Sequence, residues 1–451
     1  MADSELRLQA FLEEHPDIEI FELVLPDVCG GLRGKWLTRD KIHKAVAGEL
    51  KLPLSSLAFD VWGRDAESLV FETGDNDGYC APDIRTLSVV PWAERPTAQV
   101  VISMMEVTGE PCAYDSRHIL QSLMDRFKAL GLTPVVASEM EFHLFEETRD
   151  ERGQPVHTQG DRVGGRLAAG QTYGLEMMEK MSGLMHDIRD ACVAQGLPLD
   201  TLIKESGPSQ YEINLYHSPD ALVAADQAMM LRRAIKAVTL KHGLRATFMA
   251  KPFGHLVGNG MHVHCSVLDA EGNNAFDDGT GTGKGNALLK QAVAGCLAGM
   301  ADSMLLFAPN LNSYRRFQHG SYAPMAPCWG YENRTVSVRI PADAPVATRI
   351  EHRVAGADAN PYLVIAAVLG GMLHGIESKL EAPPPLEGNA YEQLAPSLPR
   401  YWPDALAAFE NSGFIRDNFG ATFQHVFSVL KRQEMADFDC QVTPLEYDAC
   451  L

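Results

Sequence analysis

Short runs in which apolar and polar residues alternate fill the first hundred positions, and this pattern predicts strands and turns. The runs are IEIFELVLPD (18–27), GLRGKWL (31–37), ESLVFETGDNDG (67–78) and AQVVISMMEV (98–107). Helical periodicity is confined there to ELRLQAFLEEH (5–15) and RDKIHKAVAGEL (39–50). Near residue 112 the texture changes. Asp115 or Ser116 caps a helix running to about Leu130, and helical stretches at 175–195, 219–242, 285–307 and 360–377 then alternate with strands. Ser218-Pro219 reads as an N-cap and first-turn pair for the second of these. Two domains follow from this, 1–112 and 113–451, in an α+β chain long enough for a large core.

Five of the later strands carry an unusual polar face. In VVASEMEFHLF, Glu139, Glu141 and His143 take alternate positions, with Met140, Phe142 and Leu144 on the opposite side. The same rule groups Gln210, Glu212 and Asn214 in SQYEINLY, His262 and His264 in GMHVHCSV, and Arg349, Glu351 and Arg353 in TRIEHRV. In RTVSVRIP it sets Thr335, Ser337 and Arg339 against Val336, Val338 and Ile340. Carboxylates converging in a cavity repel one another unless a cation lies between them. Oxygen donors with few imidazoles suit Mg²⁺ or Mn²⁺ better than zinc, and neighbouring arginines suit phosphate or carboxylate groups. The pattern suggests two-metal phosphoryl chemistry in a funnel of antiparallel strands.

Composition narrows the field further. A net charge of -20 argues against a nucleic-acid partner. The apolar run Tyr362 to Leu373 is too short for a membrane span, and the start MADSELRLQA lacks a signal-peptide pattern. Nine cysteines without a C-x-x-C pair point to a reducing cytoplasm. GTGTGKG (279–285) fails as a Walker loop because Gly285 follows Lys284, and no G-x-G-x-x-G follows a strand.

These blocks resemble the glutamine synthetase superfamily. GNGMHVH (258–264) is similar to its G-x-G-M-H-x-H segment, and KESGPSQYEINL (204–215) to its acidic strand pair. NSYRR (312–316), NRTVSVRIP (333–341) and RIEHR with DANPYL (349–363) match further blocks in the family's order, over roughly residues 60–370. The resemblance implies a β-grasp-like N-terminal domain and a catalytic domain whose antiparallel sheet funnel is flanked by helices. It implies two or three Mg²⁺ or Mn²⁺ ions, one held by Glu141, Glu205 and Glu212 and another by Glu139, His262 and Glu351. His264, Arg334, Arg339 and Arg349 would then face ATP. Arg316, with Gly258 beside it, and Arg353 would hold glutamate, Arg334, Arg339 and Arg353 acting in catalysis. Asp60, in LAFDVW, would reach a neighbouring subunit's site as the proton acceptor, which implies a ring-shaped homo-oligomer, a dodecamer of two hexamers.

Departures from the family redirect the acceptor. Tyr322, in HGSYAP, stands where the family flap carries a glutamate, and Trp62 follows Asp60 in a stretch that lacks the family's serine. Val257 stands where ammonia-using enzymes have asparagine, and Ser209 replaces a glycine. Losing a carboxylate and gaining aromatic surface favours an amine with a carbon tail over ammonia, at roughly 0.8 kcal/mol per buried CH₂. The expected activity is therefore ATP-dependent ligation of glutamate to a monoamine, methylamine or polyamine. Glutamine synthesis from ammonia is the first alternative, and a catalytically inactive structural or sensor protein is the second.

Overall fold

A computed structural model describes residues 2–151, 153–163, 166 and 167, 171–341 and 344–451. Thr97–Met105 forms the spine of a first, six-stranded sheet because nearly every side chain of TAQVVISMM is buried. It pairs in parallel with Ile20–Pro26 and antiparallel with Asp77–Pro82 and Ser88–Val89. Phe21, Leu23, Leu25, Val100 and Ile102 share a core with Leu8 and Leu12 of the opening helix, Ala2–Glu14.

The second sheet has nine strands, built around the long strand Thr133–Arg149. Gln210–Leu215 and Met261–Leu268 flank it, both antiparallel, and the sheet continues through Ile350–His352 and Val338–Ile340. Met140, Phe142 and Leu144 are wholly buried in a core shared with Ser116–Ala129, Ala221–Lys241 and Pro361–Glu377. Helices Ala287–Ala298 and Pro361–Glu377 cross backbone to backbone. A Cβ at Gly375 would lie 1.9 Å from the Gln291 carbonyl, so only glycine fits there.

The two sheets are joined by buried polar groups. Arg117 forks onto Asp226 at 2.9 and 2.8 Å and also reaches Ser103 and Asp83, while the Tyr362 hydroxyl donates to Asp226 at 2.6 Å. Asn360 Nδ2 donates to the Asp27 carbonyl at 3.0 Å.

The architecture is the expected α+β one, with four local corrections. Glu67–Thr73, read from sequence as a strand, is a helix whose N-cap, Ala66, makes no side-chain cap bond. It ends at Gly74, which adopts φ 67° and supplies the left-handed stop. The helix 221–241 is capped by Asp220, not Ser218. The Asp220 carboxylate accepts from the Leu222 and Val223 amides, and Ser218 instead bridges Val136. The stretch 285–307 is two helices, Ala287–Ala298 and Met304–Phe307, and 175–195 likewise divides at Met181. The funnel sheet also contains one parallel pair, Trp329–Tyr331 with Val338–Ile340. Among the described residues, no helix is long and apolar enough to cross a membrane.

Candidate active site

Strand register assembles the site. Asn214, Glu139 and His262 lie side by side across three strands, and Glu212 pairs with Glu141 in the neighbouring row. A further row runs from Ala137 through His264 and Glu351 to Arg339. Side chains alternate along each strand, so these rows put their polar groups on one face and Met140, Phe142 and Ile213 behind them.

Two acidic clusters result. In the first, ligand atoms of Glu139, His262 and Glu351 all lie within 4.8 Å of one another. His262 Nδ1 is 2.9 Å from Glu139 Oε2 and 4.0 Å from Glu351 Oε1. His264 Nε2 lies 2.8 Å from Glu139 Oε1, and Arg349 Nε donates to His264 Nδ1 at 3.0 Å, which leaves the imidazole proton on Nε2 for the carboxylate. Arg339 Nη1 donates to Glu351 Oε2 at 2.5 Å, and Arg353 pairs with Oε1 of the same carboxylate. Burial pushes both acids up, but the partners outweigh it. The hydrogen bonds of His262 and His264 hold Glu139 far below the usual carboxylate range, and the Arg353 charge brings Glu351 to about 2.

The second cluster has the opposite electrostatics. Glu141 and Glu212 are pushed well above the ordinary range, first by burial and then by other carboxylates. The Glu205 charge acts on Glu141, and Glu141, Glu139 and Glu205 act on Glu212. The Gly260 amide donates to Glu141 Oε2 at 2.5 Å. Arg316 is buried against the segment 258–260, where a Cβ at Gly260 would sit 2.8 Å from its guanidinium and one at Gly258 would meet its stem at 3.1 Å. Its Nη1 donates to the Val354 carbonyl at 2.7 Å.

A cavity of about 570 Å³ opens beside the first cluster. Glu139, His264 and Arg349 stand among its lining residues, as do Tyr216, Leu268 and Val346. Glu139, Glu141, Glu212, His262, His264, Arg316, Arg339, Arg349, Glu351 and Arg353 are thus gathered around one face, with Glu205 close enough to act on its neighbours' charge. Gly258 contributes backbone.

Four predicted residues lie outside that gathering. Arg334 is exposed. Tyr322 sits on an exposed turn at φ 57°, next to Ala323, whose carbonyl accepts from the Tyr391 hydroxyl at 2.9 Å. Trp62 is half exposed and lies against Phe438, ring centroids 5.4 Å apart. Asp60 is held by its own loop and by Gln433. Its side chain is fully buried, and it accepts from the Trp62 and Arg64 amides at 2.9 Å each, Arg64 Nε at 2.8 Å and Gln433 Nε2 at 3.0 Å. Burial raises its pKa, yet those bonds prevail and leave it below the usual range, the wrong direction for a proton acceptor.

His143, placed by its spacing on the polar face but given no role, is wholly buried, with Nδ1 2.7 Å from Asn259 Oδ1. Sequence reasoning passed over Lys204 and Asp161, which are equally withdrawn from water. The signal was available in Lys204, a lone cation closing the otherwise unremarkable run LDTLIK just before Glu205.

The geometry defines a class of enzyme that gathers carboxylates, imidazoles and guanidinium groups to bring anions together. Residues 113–450 match the family model described as "Glutamine synthetase, catalytic domain", and the chain belongs to that family. It is 37% identical to the gamma-glutamylputrescine synthetase PuuA of Escherichia coli (strain K12), over 98% of this chain and 93% of that one. It is 35% identical to a glutamate–isopropylamine ligase of Pseudomonas sp, over 92% of this chain and 89% of the other. Among solved structures, a GmaS/ADP complex superposes with a TM-score of 0.85 at 27% identity, covering 98% of each chain.

Proposed function

We propose that this enzyme joins the γ-carboxylate of glutamate to a primary organic amine, using ATP and passing through a γ-glutamyl phosphate. The observation that carries the reading is the convergence of Glu139, His262 and Glu351 beside a second set of carboxylates that repel one another. The names of the relatives, which couple glutamate to putrescine or isopropylamine, support an amine acceptor over ammonia.

Five carboxylates and one imidazole fit Mg²⁺ or Mn²⁺. Glu139, His262 and Glu351 would hold one ion, and Glu141, Glu205 and Glu212 another. Bound ions supply charge neutralisation while the γ-carboxylate attacks the terminal phosphate in line. The chain's own groups then have distinct tasks. His264 and Arg349, which line a neighbouring cavity of suitable size, face the nucleotide phosphates with Arg339 beside them, and Arg334, exposed in the free chain, would have to turn inward to join them. Arg316 and Arg353 bind the two ends of glutamate, and the backbone at Gly258 leaves Arg316 room to lie flat. Tyr322 supplies an uncharged aromatic wall for the acceptor's carbon tail.

The bonds on Asp60 support an anchoring role for the loop 60–65, which presents Trp62. Arg64 and Gln433 would have to let go before its carboxylate could take a proton from the amine. We further propose domains at 1–112 and 113–451, a homododecamer with sites between subunits, and a cytoplasmic setting in line with the cysteine spacing.

Phosphate release measured with ATP, glutamate and a panel of amines tests the reading. Faster turnover per ATP with one or more alkylamines than with ammonia is the expected result. Equal or better turnover with ammonia alone at low concentration would overturn the amine assignment.

A further inference from the structure

The loop 205–209 carries Glu205 between the strands Leu199–Lys204 and Gln210–Leu215, and it has no regular structure of its own. What fixes it is a buried cation. Lys204 is 1% exposed, and its Nζ donates to the Glu205 carbonyl at 2.8 Å and the Gly207 carbonyl at 2.7 Å. The Tyr211 ring lies below it at 5.4 Å. Its counter-charge is Asp161, 3.9 Å away and also buried, whose carboxylate accepts from Thr158 Oγ1 at 2.8 Å. The Thr158 amide donates to Ser209 Oγ at 3.2 Å, so the segment 158–161 and the loop 205–209 interlock.

Glu205 is held on both sides. Its amide donates to the Gln210 carbonyl at 3.0 Å, and its carbonyl accepts from Lys204. Both flanking peptides are therefore fixed, and with them the direction in which the side chain leaves the backbone. An ammonium taken out of water needs its charge and donors matched, and two carbonyls with Asp161 do this.

We propose that Lys204 is a positioning residue. Its ammonium, set by Asp161, clamps the loop so that the Glu205 carboxylate meets Glu141 and Glu212 around one divalent cation. The inference rests on the assignment of those three carboxylates to a metal ion.

Calorimetric titration of the full, chelator-stripped chain with Mn²⁺ tests it, comparing the unmodified protein with Lys204→Met and Asp161→Asn. The expected result is about ten-fold weaker uptake at one site with the other unchanged, as for loss of a group that orients a metal ligand. In assays the Mn²⁺ concentration for half-activation should rise, while kcat at saturating Mn²⁺ stays within about two-fold. A lower melting temperature with unchanged Mn²⁺ affinity would show a purely structural role and overturn the proposal. Should Lys204→Met not fold, Asp161→Asn keeps both carbonyl contacts and removes only the counter-charge, and unchanged affinity there overturns it equally. An unmodified protein that takes up no Mn²⁺ sinks the metal assignment itself, a result distinct from either variant's.

Discussion

The two acidic clusters differ in what balances them. Glu139 and Glu351 meet two imidazoles and two guanidinium groups, so they stay ionised and ordered by the chain alone. Glu141 and Glu212 meet chiefly each other and Glu205. A site whose partners are built in is ready before any ligand arrives. One whose members repel is completed by what it binds, and its affinity carries the cost of that repulsion as a gain on binding.

The sharpest way to break the comparison is to truncate one member of each cluster. Glu351→Ala should lower turnover by about 10²–10³-fold and also lower the melting temperature of the metal-free protein, because Arg339 and Arg353 lose their shared carboxylate. Glu212→Gln should cost comparable activity, yet raise the metal-free melting temperature by relieving repulsion. Turnover assays and thermal unfolding of the two variants separate these outcomes, and a fall in melting temperature for both would end the contrast.

A smaller effect is expected from pH. Glu141 and Glu212 have raised folded values, so the metal-free folded chain holds protons that the unfolded chain has already released. That contribution to stability is complete below the unfolded value and disappears as pH rises through the folded ones. Melting temperature without metal should fall between about pH 5 and about pH 9, and saturating Mn²⁺ should flatten the slope. Glu351, whose folded value is depressed, contributes with the opposite sign, its share being lost only as pH falls toward about 2. The smallest change is expected at the flap, where Tyr322→Glu should raise the ratio of ammonia to alkylamine turnover by about ten-fold. An unchanged ratio would remove Tyr322 from the acceptor pocket.

Much of the site was legible because period-2 alternation is a local property. Glu139 and Glu141 share a face with no knowledge of any partner strand, as do His262 and His264. The register that sets Glu139 beside His262, and Glu212 beside Glu141, is a tertiary fact that no single strand encodes. The helix Glu67–Thr73 was misread because a seven-residue segment without a capping side chain carries little helical signal, and only Gly74 betrayed its end. Asp220 was passed over for Ser218 because both suit a cap, and the bridge of Ser218 to Val136 decides between them. The role of Asp60 rested on the family resemblance alone, and no local pattern could announce Gln433, which donates to one of its oxygens from the far end of the chain.

That last contact has a practical consequence for anyone handling the protein. The Glu434 carboxylate accepts from the Val61 amide, and Arg64 pairs with Asp437, so the helix Ala421–Asp439 serves as a latch on an amino-terminal loop. Truncations that cut into that helix would therefore release the loop 60–65, whereas the exposed residues that follow it make none of these contacts.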